Sequence, residues 1–183
     1  MYTTPSRTAH DAWHRSLVPH CVPLNDALGC LALTFHGFFD YHKLKRIHLA
    51  HHAHHSDAEK DPDMPPNGTT RFLPWFGRMA LVYATPHQAL CFAAYLAACR
   101  CFLSVPPLHL LLFIAVPFAA SVLRLFVFLT YVPHTAAVGS GGSMIITFVG
   151  PKWAALALGF NAVYHAQHHS WPRLPWWRLA SVA

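Results

Sequence analysis

Apolar positions gather into two runs, Met79–Leu103 and Leu108–Val132, each carrying a single charge, Arg100 in the first and Arg124 in the second. Each exceeds the roughly 20 residues that cross a bilayer core. Pro106 and Pro107 fall between them as a turn, so residues 79–132 read as a transmembrane helical hairpin. Two further apolar stretches do not make complete spans. Val22–Phe39 is interrupted by Asn25, Asp26 and His36 and is expected to lie in the interface or to dip back as a re-entrant segment. Met144–Tyr164 is broken by Gly150, Pro151 and Lys152 and is expected not to cross. Trp176 and Trp177 mark an interfacial aromatic belt.

Composition agrees with this pattern. Only 11% of the residues are charged against 54% hydrophobic, whereas soluble domains carry about 25% charged residues. The expected fold is therefore an all-α integral membrane protein. The seven acidic residues all lie in the first 63 positions and include one glutamate, Glu59. That excludes a soluble carboxylate-bridged di-iron bundle, which needs a glutamate from each of four helices. The net charge of +6 comes without a Lys/Arg stripe or an RNA-binding motif, so no nucleic-acid partner is expected. Instead, 11 of the 13 basic residues lie outside the hairpin, and the positive-inside bias places the flanking segments on the cytoplasmic side. Five cysteines without a C-x-x-C pair argue against a zinc ribbon and against disulfides.

The flanking segments carry the chemistry. His10 and His14, then His48, His51 and His52, then His165, His168 and His169 recur at spacings of three and four, with His134 alone between the last two groups. Residues three and four apart share a helix face, so each group aims its imidazoles at one point. Packing so many imidazoles together without a metal strands buried donors and acceptors. Single histidines such as His20, His36, His42, His87 and His109 read instead as ordinary interior or interfacial side chains. A structural zinc takes about four ligands, so nine candidates suggest a binuclear site. Imidazole suits iron, copper, nickel and zinc alike, and spacing leaves the element open. It also leaves the register open, because His51, His54 and His55 repeat the H-x-x-H-H pattern. If the groups share one centre, segments between them cross the membrane an even number of times; the hairpin between His52 and His134 meets that condition.

The boxes HDAWH (10–14), HLAHH (48–52) and HAQHH (165–169) resemble those of the membrane-bound fatty acid desaturase and hydroxylase superfamily. HDAWHRSLVP, PLNDALG, LKRIHLAHH, DPDM (61–64), FLPWF (72–76), RLFVFLTYVPH (124–134) and PWWRL (175–179) are similar to the bacterial β-carotene ketolases, over nearly the whole stretch from Thr8 to Leu179. The resemblance implies a single desaturase-like domain over 1–183, with residues 8–64 and 134–179 forming a histidine-bearing cap of interfacial helices on the cytosolic face of a bacterial inner membrane. It selects His48, His51 and His52 over the overlapping register, leaving His54 and His55 as bystanders, and it implies His134, in TYVPH, as a ligand. It further implies two non-haem iron ions, O2 as co-substrate and a ferredoxin-like electron donor. Around the ligands, Asp11 is expected to orient an imidazole, since metal-bound histidine gives its other N–H to a carboxylate or carbonyl. Asn161, four residues before His165, is expected to do likewise.

Three functions follow as expectations: a carotenoid β-ring 4-ketolase oxidising the allylic carbon twice to a gem-diol that loses water, a fatty acyl desaturase or hydroxylase, and a truncated non-catalytic homologue. The aromatic runs Phe72–Phe76 and Phe113–Phe128 are candidates for lining an apolar channel. Two departures from the ketolase pattern bear on the third reading. TAAVGSGGSMIITFVGP (135–151) lacks the acidic, His-containing stretch of the relatives, and nine residues precede His10 where transmembrane helices are expected in the family.

Overall fold

The computed structural model describes residues 3–55, 57, 59–139, 148–159, 161 and 163–183, and the regular structure among them is helical. Helix α1 runs Thr3–Trp13, α2 Val22–Gly37, α3 Tyr41–His54, α4 Phe72–Tyr83 and α5 Pro86–Phe102. The long helix α6, Pro107–Thr135, contains 29 residues and is apolar enough to cross a membrane. Its path includes π-helical turns at Leu111–Ala115 and Phe126–Tyr131. Short helices α7, Lys152–Gly159, and α8, His165–Ser170, precede a 3-10 segment, Trp176–Ser181.

Local chemistry explains the boundaries. Pro23 sits in the first turn of α2, where its missing N–H is harmless, and Phe38 ends that helix in a left-handed conformation (φ 62°). Asp40 caps α3 by accepting from the Lys43 N–H at 2.8 Å. The apolar run Met79–Leu103 is not one uninterrupted helix: α4 ends at Tyr83 and α5 begins at Pro86. A residue before proline is pushed out of the helical region, and Thr85 turns that to use by accepting the Gln88 N–H at 3.0 Å as the cap of α5. The turn expected at Pro106-Pro107 lies between α5 and α6, with Ser104 at φ 53°. Of the stretch Met144–Tyr164, residues 144–147 lie outside the described residues, and the eight-residue α7 follows Pro151.

Polarity runs inside out relative to a soluble domain. Phe35, Leu73, Leu81, Leu90, Phe102 and Leu103 are exposed, whereas His10, Asp11, His48, His51, Asp61, His134 and His168 are buried. Large exposed apolar surface around a polar interior is what lipid on the outside demands.

The packing that matters most for the site sets α1 against α2 and α3. Ala9, Ala12, Leu33, Tyr41 and Leu44 form one buried cluster there. Gly29 makes that approach possible, since a Cβ at this position would lie 2.3 Å from the Tyr41 ring and 2.7 Å from the Ala12 Cβ. Fully buried Asn25 then fastens the end of α1, donating to the Ala12 carbonyl at 2.7 Å and accepting from the Val18 N–H at 3.2 Å. A second cluster of Ala155, Val163, Tyr164 and Leu179 holds the C-terminal segment together.

Candidate metal centre

Four separated parts of the chain deliver the histidines to one place. His10 lies on α1 and His14 directly after it; His48, His51 and His52 lie on α3; His134 is near the end of α6; and His165, His168 and His169 lie on α8. His10, His14, His48 and His168 offer nitrogens within 4.8 Å of one another, and so do His51, His134 and His165. His52 and His169 join the two groups: His52 Nε2 is 2.8 Å from His168 Nε2, and His169 Nε2 is 3.0 Å from His51 Nε2 and 3.2 Å from His165 Nε2. All nine sequence-predicted imidazoles are thus brought together. His54 is exposed at the end of α3. His55 is exposed too, its ring centroid 5.3 Å from that of His169.

The nitrogens meet in a manner that hydrogen bonding alone does not satisfy. His14 Nε2 and His48 Nε2 are 2.7 Å apart, and His168 Nε2 faces both His10 Nε2 at 3.1 Å and His52 Nε2 at 2.8 Å. Each neutral imidazole has one N–H and one lone pair. His134 donates through Nδ1 to the Thr130 carbonyl at 2.7 Å, and its buried Nε2 has no partner. His51 donates through Nδ1 to Asp61 Oδ1 at 2.8 Å. Their Nε2 lone pairs are therefore aimed inward, and converging lone pairs repel unless a cation lies among them. A metal–nitrogen length of about 2.1 Å sets adjacent ligand nitrogens about 3.0–3.4 Å apart, close to the observed spacings. The donor set fits a metal.

Electrostatics supports the same protonation state. Burial holds His10, His48, His165 and His168 well below the usual imidazole range, with neighbouring charges adding to the effect. Burial likewise lowers His14 to about 4 and His52 to about 3. These rings stay neutral at pH 7, as metal ligation requires. At His51 burial also acts downward, but the Asp61 hydrogen bond and the charges of Asp63 and Asp61 outweigh it and raise its pKa.

Those two carboxylates were missed from the sequence. Asp61 accepts from His51 and from the Asp63 N–H at 2.9 Å, while Asp63 Oδ2 stands 3.8 Å from His51 Nδ1. Tyr83 donates to Asp63 Oδ1 at 2.5 Å, and Trp75 Nε1 donates to the Asp63 carbonyl at 2.9 Å. DPDM therefore works as the outer support of the second imidazole group.

The two outer residues expected from the sequence are placed differently. Asp11 approaches His10 Nδ1 only to 3.5 Å, that nitrogen has no hydrogen-bond partner, and Asp11 Oδ2 accepts the Trp176 N–H at 3.2 Å. Burial raises Asp11 to about 7, against the opposing pull of the Trp176 N–H and of Arg7. Asn161 donates to the Trp176 carbonyl at 3.1 Å instead of to a histidine. Its φ of 60° puts it outside α8, which starts at His165, so the helical i,i+4 relation does not hold. Both residues secure the C-terminal turn beside the centre.

A cavity of about 270 Å³ opens onto the imidazoles, with His10, His48, His51, His165 and His168 in its wall and Leu33, Phe39, Phe76, Met79, Phe118 and Leu129 among the apolar residues opposite. Ala84, Gln88 and Phe118 also wall a groove that continues along α5 past Phe92, Ala93 and Leu96. Phe76 and Phe118 are thus the members of the two aromatic runs that line the space together with Phe126.

With the geometry in hand, comparison with known proteins is specific. The fatty acid desaturase family model matches residues 6–90 and 86–183. Beta-carotene 4-ketolase 3 of Haematococcus lacustris is 35% identical over 98% of this chain and 58% of its own length. Zeaxanthin 4-ketolase of Chlamydomonas reinhardtii is 34% identical over 98% of this chain and 41% of its own. Beta-carotene ketolase of Paracoccus sp. (strain PC1) is 30% identical over 93% of this chain and 70% of its own. The chain spans about half the length of the algal relatives. No solved structure matches it.

Proposed function

Because the chain belongs to the fatty acid desaturase family, we propose that it is a membrane oxidoreductase that inserts oxygen into an apolar lipid, and that its substrate is a carotenoid β-ring oxidised at the allylic carbon 4. The observation that carries this reading is the meeting of nine imidazoles from four segments, at nitrogen separations of 2.7–3.2 Å for the closest pairs, at the end of an apolar cavity.

His10, His14, His48 and His168, with His52, hold one iron in this reading, and His51, His134 and His165, with His169, hold the other. Two iron ions bound there would supply O2 activation for C–H oxidation. The chain does the rest. Asp61 and the Thr130 carbonyl fix the tautomers of His51 and His134 so that Nε2 faces inward. Leu33, Phe39, Phe118 and Leu129 exclude water from the reacting carbon. At about 270 Å³ the cavity is near the lower end of ordinary ligand pockets, enough for one ring end group, and the groove along α5 gives the polyene a path toward lipid.

The relatives named above as ketolases favour a carotenoid over a fatty acyl chain. In this reading the imidazole face lies on the cytoplasmic side of a bacterial inner membrane, within reach of a ferredoxin-like donor; the excess of basic residues outside the hairpin supports that side. Expression in β-carotene-producing cells is expected to yield echinenone or canthaxanthin. Unchanged pigment with an altered fatty acid profile would establish an acyl-lipid enzyme instead, and purified protein without iron would end the catalytic reading.

A further inference from the structure

One charged side chain in the cavity wall keeps a buried donor without an acceptor. Arg7 lies one turn before His10 on α1, is 4% exposed, and shares the wall with Leu33, Phe39, Phe118 and Leu125. Its buried Nε has no hydrogen-bond partner. No carboxylate stands within ion-pair distance of it among the described residues, and the nearest acid along α1, Asp11, is engaged by the Trp176 N–H. Asp11 acts on the guanidinium only through its charge, without a direct contact, and a buried donor left without an acceptor is unfavourable. A guanidinium offers five N–H donors and no acceptor. The missing partner is therefore an acceptor atom, and the place for it is beside the imidazole cluster.

We propose that Arg7 anchors an oxygen substituent on the ring that occupies the cavity, holding the half-oxidised alcohol for its second oxidation. This rests on the ketolase reading. Each oxidation turns C–H into C–OH using one O2, two electrons from the donor and two protons from solvent, and releases one water. The first product bears the ring oxygen that a hydrocarbon ring lacks; the second is a gem-diol that loses water to give the ketone. A hydrocarbon ring gives Arg7 nothing to bind, whereas the alcohol gives it an acceptor next to the reacting carbon.

Ring fragments test the subsite without turnover. The purified chain is titrated with β-ionone, 4-hydroxy-β-ionone and 3-hydroxy-β-ionone, followed by quenching of tryptophan fluorescence, Trp13 being in the cavity wall. A hydrogen bond to a charged donor makes the 4-hydroxy ring bind about 10- to 100-fold more tightly than β-ionone. Arg7→Met removes the preference and Arg7→Lys keeps part of it. In β-carotene-producing cells, Arg7→Met raises the ratio of ring alcohol to ring ketone about tenfold. A preference surviving in Arg7→Met, or none in the wild type, overturns the proposal. A preference for the 3-hydroxy ring alone overturns the retention role and assigns Arg7 to a hydroxyl already present on the substrate. Melting temperature separates binding from architecture: Arg7→Met is expected to melt at or above the wild-type temperature with its iron intact, and a lower melting temperature with lost iron makes Arg7 a structural partner of Asp11. Cells that make no ketone refute the ketolase reading, while the fragment titration still decides the subsite.

Discussion

Asp61→Asn preserves the shape of a side chain that is fully buried and removes the charge to which His51 donates. The wild-type contact, 2.8 Å between His51 Nδ1 and Asp61 Oδ1, is charge-assisted and shielded from water. Hydrogen bonds to charged partners contribute about 1.5–3 kcal/mol and neutral ones about 0.5–1.5, so the substitution removes about 1–1.5 kcal/mol from the setting of the His51 ring. That corresponds to about tenfold in metal affinity, at the lower edge of the 10- to 100-fold typical for outer partners of ligating histidines. Asp61→Ala also strands the Asp63 N–H, which Asp61 now accepts at 2.9 Å, and is expected to reach about 100-fold. The assay is iron titration of metal-free protein against a chelator. Because Asp61 accepts directly from His51, a member of the His51, His134 and His165 group, one phase of the titration is expected to weaken much more than the other. Equal weakening of both phases, or an affinity within twofold of wild type for Asp61→Asn, refutes the assignment of Asp61 as the support of one metal position.

Other substitutions bear on neighbouring claims. His51→Ala and His168→Ala are expected to abolish activity and lower bound iron, and exposed His54→Ala to retain both; equal iron loss at all three positions would restore the overlapping register. Gly29→Ala forces a methyl to within 2.3 Å of the Tyr41 ring and is expected to cost about 1–3 kcal/mol, measured as a lower melting temperature; an unchanged value would mean that α1 and α2 separate freely. Asp26 is held below the usual carboxylate range: burial acts upward, but donors from Tyr41, Lys45 and Asn25 outweigh it. Its contribution is present above the unfolded value near 3.8 and lost as pH falls through the lower folded one. Asp26→Asn should therefore flatten the fall in melting temperature below about pH 4, and an identical acid limb would exclude it as a contributor.

The imidazole groups were legible because helical periodicity converts spacing directly into a shared face. What spacing does not carry is contact between elements. Asp61 and Asp63 sit in a loop after α3, and nothing in a carboxylate's position along the chain tells which ring it will meet; DPDM stood out only through resemblance. Asn161 failed for the complementary reason: counting four residues back from His165 assumes a helix that has not yet started. The break between α4 and α5 had a local signal in Thr85-Pro86, overridden in the sequence reading by the apolar run on both sides. Arg7 had none, since a lone arginine near an amino-terminal helix reads as a solvated side chain until the cavity beside it is seen.

The contact between His10 and His168 joins positions 158 residues apart. Neither ring can have its neighbours until the 158 residues that separate them have been laid down between the two helices. A shared metal position therefore cannot form before the His168 segment exists, and until then α1 is held against α2 and α3 through Asn25 and Gly29.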